Sequence, residues 1–168
     1  PVPTNPGAAN AALSVKEVAD QRIWRMYRRV HKEGLAIVSD SHPDALHELR
    51  KSCKKLRYLM EFFESLYPKR EIKGLIKALK VLLDNLGNFQ DLAVQADHLR
   101  EMAARMREEK CAPTDTLLVM GVLVGQLLDG QQQARARFAE IFGAFDAEEN
   151  RELFQRLFAS KRREGKGA

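Results

Sequence analysis

Apolar residues recur along this chain every three or four positions, and nowhere do they alternate in steps of two over a sustained stretch. That spacing lines one side of a helix, so the pattern predicts an all-α protein. The boundaries come from the residues that interrupt the pattern. A first helix is expected over 14–33, with Ser14 as N-cap and Glu17 completing a capping box. Gly34 is its expected stop, although 35–38 is apolar enough to extend it. Ser39-Asp40-Ser41-His42-Pro43 reads as a helix start with Pro43 in the first turn. The second helix is then expected to reach about Tyr67 and to end before Pro68. A third starts near Arg70 and continues to Glu109, with a bend or break at Leu86-Gly87-Asn88. Pro113-Thr114-Asp115 opens a fourth that ends near Phe145, and a short fifth covers 147–160.

The expected architecture is an antiparallel helical bundle over 13–160: four long helices plus a short C-terminal helix. Its expected core is Leu49, Leu56, Leu79, Leu83, Leu86 and the apolar run 117–128. That run is too short to span a bilayer and carries Gly121, Gly125 and Gln126, so it reads as a core helix and no membrane contact is expected. The Pro, Asn, Gly and Ala of 1–12 predict a disordered arm, and 161–168 a basic flexible tail.

Composition changes this picture at one point. At 168 residues, 45% hydrophobic and 30% charged, the chain suits one folded domain rather than a disordered one. The net charge of +5 matters through its location. Between Arg22 and Lys80 there are 15 Lys and Arg against 7 Asp and Glu, whereas the flanking segments are slightly acidic. The basic character is confined to one third of the chain, as a polyanion footprint would be. Two cysteines make no disulfide framework; Cys53 falls on an apolar stripe and reads as a small buried hydrophobe. The start of the chain has no charged region followed by an apolar run, so no signal peptide is expected and a cytoplasmic setting is.

On a helical wheel Arg50, Lys54, Arg57 and Glu61 form an i, i+4, i+7, i+11 stripe flanked by His47 and Tyr58. On the third helix Lys73, Lys77, Lys80, Asp84, Asp91 and His98 share a face, on which Lys80 is expected to pair with the aspartates. An ordinary solvated face is the simplest reading of any charge run. Against it, the first stripe is nearly all cationic where a solubility face mixes signs. Like charges at i and i+4 also cost helix stability, which a counter-anion relieves. The short link at Pro68 should moreover lay the two helices side by side. Arginine forks and lysine point charges spaced about 5–6 Å apart suit a repeating phosphate anion. Tyr58 is the only aromatic on the stripe, too few for a reader of bases.

The segment from His47 to Tyr58, HELRKSCKKLRY, resembles the H-x-L-R-K-x-x-K-x-L-R-Y helix of the CHAD family, the histidine-containing α-helical domains. Leu79-Lys80 followed by Leu86-Gly87-Asn88-Phe89-Gln90-Asp91 is similar to that family's L-K-x-L-Q-x-x-L-G-x-x-x-D segment. The resemblance is close over 14–99 and loose beyond. It implies a helical bundle that binds inorganic polyphosphate through basic helix faces, in some members at polyphosphate granules. The family's basic positions fall on Arg50, Lys54, Arg57 and Lys80, with His47 as the named histidine and Tyr58 beside it. Lys51, Lys55, Lys73 and Lys77 are expected in support. From charge alone, Arg22, Arg25, Arg28 and Arg29 on the first helix join them. The family domain usually contains two such repeats and this chain has room for one, which implies a homodimer or pairing with a second repeat.

Three other readings stay beside this one. Catalysis is not expected: no H-E-x-x-H, Walker A or acidic metal cluster is present, and no cofactor or metal is called for. A nucleic-acid module would use the same cations. A helical interaction scaffold would use Gly121, Gly125 and the apolar fourth helix as a seam. His47 has two readings of its own, as a phosphate donor when protonated and as a packing contact.

Overall fold

A computed structural model describes residues 13–159; the expected arm at 1–12 and tail at 161–168 lie outside them. The described residues form helices joined by short turns, with no strand among them. α1 is Val15–Leu35. The Ser14 hydroxyl accepts the Glu17 N–H at 3.2 Å, and the Glu17 carboxylate accepts the Ser14 N–H at 2.8 Å. The capping box therefore satisfies two of the donors that a helix start leaves free.

Gly34 does not stop α1; it lies buried in its last turn. The ring of Phe142 packs so closely on it that any Cβ there would overlap ring atoms. The glycine serves close approach rather than helix termination. Gly34→Ala is accordingly expected to lower stability by about 1–3 kcal/mol through overpacking, despite a helix-propensity gain of about 1 kcal/mol. Thermal unfolding checks this: an unchanged or higher midpoint would remove the packing role.

α2 is Pro43–Phe62, capped by His42, whose Nδ1 accepts the Asp44 N–H at 3.3 Å. It ends short of Tyr67 because a 3-10 turn, Glu64–Leu66, intervenes. Pro68 keeps Tyr67 extended, at φ −126° and ψ 160°. The Tyr67 hydroxyl donates to Asp20 Oδ1 at 2.7 Å, tying the turn to α1.

α3, Lys69–Glu108, runs 40 residues without the break expected at Gly87. Leu82, Leu83, Leu86 and Phe89 keep a continuous buried stripe through that point, which overrides the weak local propensity of glycine. α4 is Thr114–Ala136 and α5 is Phe138–Phe145, so the expected fourth helix is two helices. Phe138, Phe142 and Phe145, just past the break at Arg137, are buried in the core. Nearby, the Arg135 guanidinium donates to the carbonyls of Ser39 and Ser41, which anchors the break to the α1–α2 link. α6, Glu148–Phe158, closes the fold with Phe154 stacked on Tyr27, ring centroids 3.9 Å apart.

α3 is the spine: α2, α4 and α5 pack along it, while α1 sits between α2 and α6. Ile23, Leu49, Leu56, Leu79, Leu82 and Phe154 are fully buried at the centre. Cys53 is buried among them, and that burial pushes its thiol up to about 12, which keeps it an inert thiol. The run 117–128 is not a core helix. Met120 is buried, but Leu118, Val119, Val122 and Leu123 are 64%, 59%, 61% and 43% exposed. α4 is apolar all round while α3 covers only one side of it. Among the described residues no helix is long and apolar enough to cross a membrane.

Candidate functional site

The two basic stripes meet. α2 and α3 run antiparallel, and contacts between them step down one helix as they step up the other. His47 Nδ1 lies 2.5 Å from Gln90 Oε1, with the ring nitrogen donating to the amide oxygen. One turn further along α2, Arg50 lies over Gly87: a Cβ on the glycine would sit 3.7 Å from Arg50 Nε and from Nη2. Further on, Glu61 holds both helices, with Oε2 3.7 Å from Arg57 Nε and Oε1 3.3 Å from Lys80 Nζ. At the far end Lys73 Nζ is 3.7 Å from Glu64 Oε1.

The apolar positions explain this alignment. Leu46, Leu49, Cys53, Leu56 and Met60 are buried, which turns Arg50, Lys54 and Arg57 toward the flank that meets α3. Burial of Ile72, Leu79, Leu83 and Leu86 leaves Lys73 and Lys80 on the facing flank. The result is a seam with half-buried Arg50, Lys54 and Arg57 in its floor and exposed Lys73, Lys77 and Lys80 along one rim.

Two donors in the floor have no acceptor. The Nε–H groups of Arg50 and Arg57 are buried without a hydrogen-bond partner, the Glu61 carboxylate standing beyond hydrogen-bond reach of the second. A buried charged donor left unmade is costly.

The other expected site residues separate into two groups. Tyr58 is 54% exposed at the rim, with the Arg57 guanidinium 5.0 Å from its ring centroid. Lys51 and Lys55 point outward from α2; Lys51 is engaged with Glu48 at 2.7 Å, which holds that carboxylate below its usual range. The α1 arginines are not in the seam. Arg22 and Arg25 border the opposite flank of α2 near Leu59. Arg25, Arg28 and Arg29 also line a groove on α1 beside Trp24, with Arg29 held by Glu33 at 2.6 Å. The expected pairing of Lys80 with Asp84 or Asp91 does not form, because Lys80 reaches across to Glu61 instead. Gln90 and Gly87, neutral or small, leave no mark in a charge pattern, and Glu64 sits in the turn between the two helices, outside either helical wheel. Among the described residues no three His, Cys, Asp or Glu side chains gather as a metal site would require.

Comparison with known families places this seam in context. The model of the CHAD domain matches residues 2–100, which takes in α1, α2 and most of α3 and stops before α4. No curated protein matches the chain significantly.

Proposed function

The chain belongs to the CHAD domain family, and from that premise we propose that it binds inorganic polyphosphate in the seam between α2 and α3. The observation that carries the reading is the pair of buried Nε–H donors on Arg50 and Arg57, which phosphate oxygens would satisfy. Arg50, Lys54 and Arg57 grip successive phosphates along the floor, and Lys80, Lys77 and Lys73 neutralise them from the rim. Glu61 keeps Arg57 and Lys80 from splaying apart before the ligand arrives. His47, fixed by Gln90, presents its second ring nitrogen to the same seam. The reading assigns no catalytic step and no cofactor; the protein acts by holding the chain. Such an affinity would collect it on polyphosphate granules in the cytoplasm.

Titration with polyphosphate of defined length tests this. Binding releases condensed counterions, so the logarithm of affinity is expected to fall linearly with that of salt concentration. By analogy with single-stranded nucleic acids the slope is roughly −0.7 per phosphate neutralised. A salt-independent affinity, or no binding at low salt, would overturn the proposal.

The pairing expectation acquires a location in the same reading. The outward face of α4 carries four exposed apolar side chains, and Gly121 and Gly125 leave open space beside them. Monomers rarely leave such a patch uncovered, and we assign it to a second copy of the chain. Light scattering is expected to give a dimer mass at high concentration, and Leu118→Lys with Val122→Lys a monomer. A strict monomer in the unaltered protein rejects this pairing.

A further inference from the structure

We propose that the chain carries a second polyanion surface, separate from the seam: a groove on α1 around Trp24 that takes single-stranded nucleic acid. The groove has a volume of about 820 Å³, and its walls include Gln21, Trp24, Arg25, Arg28 and Lys32. It lies across α1 from the flank that meets α2, on the side where α6 packs.

Its cations are available. Arg25, Arg28 and Lys32 form no ion pair among the described residues. The nearby carboxylates are occupied elsewhere: Glu33 holds Arg29 at 2.6 Å, and Asp146 is bound by His31 at 2.6 Å and Arg151 at 3.7 Å. Ala159, at the end of α6, lines the same groove.

Positive charge alone would take any polyanion. The indole selects among them. Trp24 is the chain's single tryptophan, half-buried, with one side packed toward Tyr27 at a centroid distance of 5.5 Å. A polyphosphate chain has nothing to place against an indole, whereas an unpaired base stacks on it while the adjoining phosphates meet Arg25, Arg28 and Lys32. The Gln21 amide offers a donor and an acceptor to a base edge. A duplex hides its base faces, so the ligand is a single strand. The seam lacks this combination, since the one aromatic at its rim, Tyr58, has the Arg57 guanidinium over its ring.

The test uses the full chain, short end-labelled oligouridylate and oligothymidylate, and inorganic polyphosphate of matched charge. Because Trp24 is the only tryptophan, its emission reports on this groove directly. The oligonucleotides are expected to quench it, and polyphosphate to leave it nearly unchanged. Arg25→Ala, Arg28→Ala and Lys32→Ala together should weaken oligonucleotide binding by about tenfold or more, while Arg50→Ala, Lys54→Ala and Arg57→Ala together should leave it within about twofold. Trp24→Ala should cost about tenfold; if that variant loses its helical circular dichroism, Trp24→Phe and the groove triple decide. An unresponsive Trp24 emission, or loss of oligonucleotide binding in the seam triple alone, overturns the proposal. Equal quenching by polyphosphate overturns the selectivity for bases. Each outcome is independent of polyphosphate binding in the seam, which the seam triple reads by itself.

Discussion

Replacing Arg50, Lys54 and Arg57 together by alanine is expected to remove most of the polyphosphate affinity, by roughly 3 kcal/mol or more, about a hundredfold or more. Hydrogen bonds to charged groups contribute about 1.5–3 kcal/mol each, and three neighbours acting on one chain will not add independently. Lys80→Ala, on the rim and 51% exposed, should cost about 1–3 kcal/mol. The fold should survive the triple change. Two of the removed groups carry buried donors with no acceptor, and all three contribute like-charge repulsion at helical spacing. Thermal stability without ligand is therefore expected to hold or rise while binding is lost, which a merely structural role for these residues would not produce. The matched control is three exposed cations away from the seam that form no ion pair among the described residues: Arg105 and Arg107 in the last turn of α3, with Lys110 just beyond it. Arg156 is unsuitable because it pairs with Glu71 at 2.9 Å and so links α6 to α3. If the control weakened binding as much as the seam variant, only bulk charge attraction would remain.

Phe154→Ala is expected to cost about 3–5 kcal/mol of stability, the range for emptying a fully buried aromatic site. Phe154 has no exposed surface. It stacks on Tyr27 from α1, meets Phe145 edge-on at 6.0 Å, and packs on Phe158 at 5.7 Å. Rings from α1, α5 and α6 itself converge on it, and rings already packed on one another have little freedom to refill the space. Chemical denaturation should show a lower midpoint with an unchanged slope. A loss under about 1 kcal/mol would mean that the site collapses freely and that α6 is not anchored there. Seam binding should persist in the folded fraction of this variant, because α6 contributes nothing to the seam.

Periodicity was enough to identify the helical class, α1, most of α2 and the extent of α3, because each has one apolar stripe and a chemically marked end. Ser14 with Glu17, Pro43 and Pro68 act through bonds to residues within one turn, so their meaning travels with the sequence. The seam was legible for the same reason: spacing at i, i+4 and i+7 puts Arg50, Lys54 and Arg57 on one flank wherever the helix goes. What tertiary structure decided is where local and distant forces disagree. Gly34 and Gly87 have a local meaning, weak helix propensity, yet both lie inside helices: Phe142 needs the missing side chain of Gly34, and the buried stripe of Leu83, Leu86 and Phe89 carries α3 through Gly87. Arg137 interrupts the helix with no proline or glycine to announce it, where Phe138, Phe142 and Phe145 begin to bury in the core. Apolar residues all round α4 gave no phase from which to read its buried side, and α3 covers only one. Lys80 could be assigned to a face but not to Glu61, nor the α1 arginines to a groove apart from the seam, because a partner across helices depends on packing that no single helix encodes. Short-range bonding is written into neighbouring residues, whereas burial and cross-helix pairing depend on which surfaces meet once the whole chain has condensed.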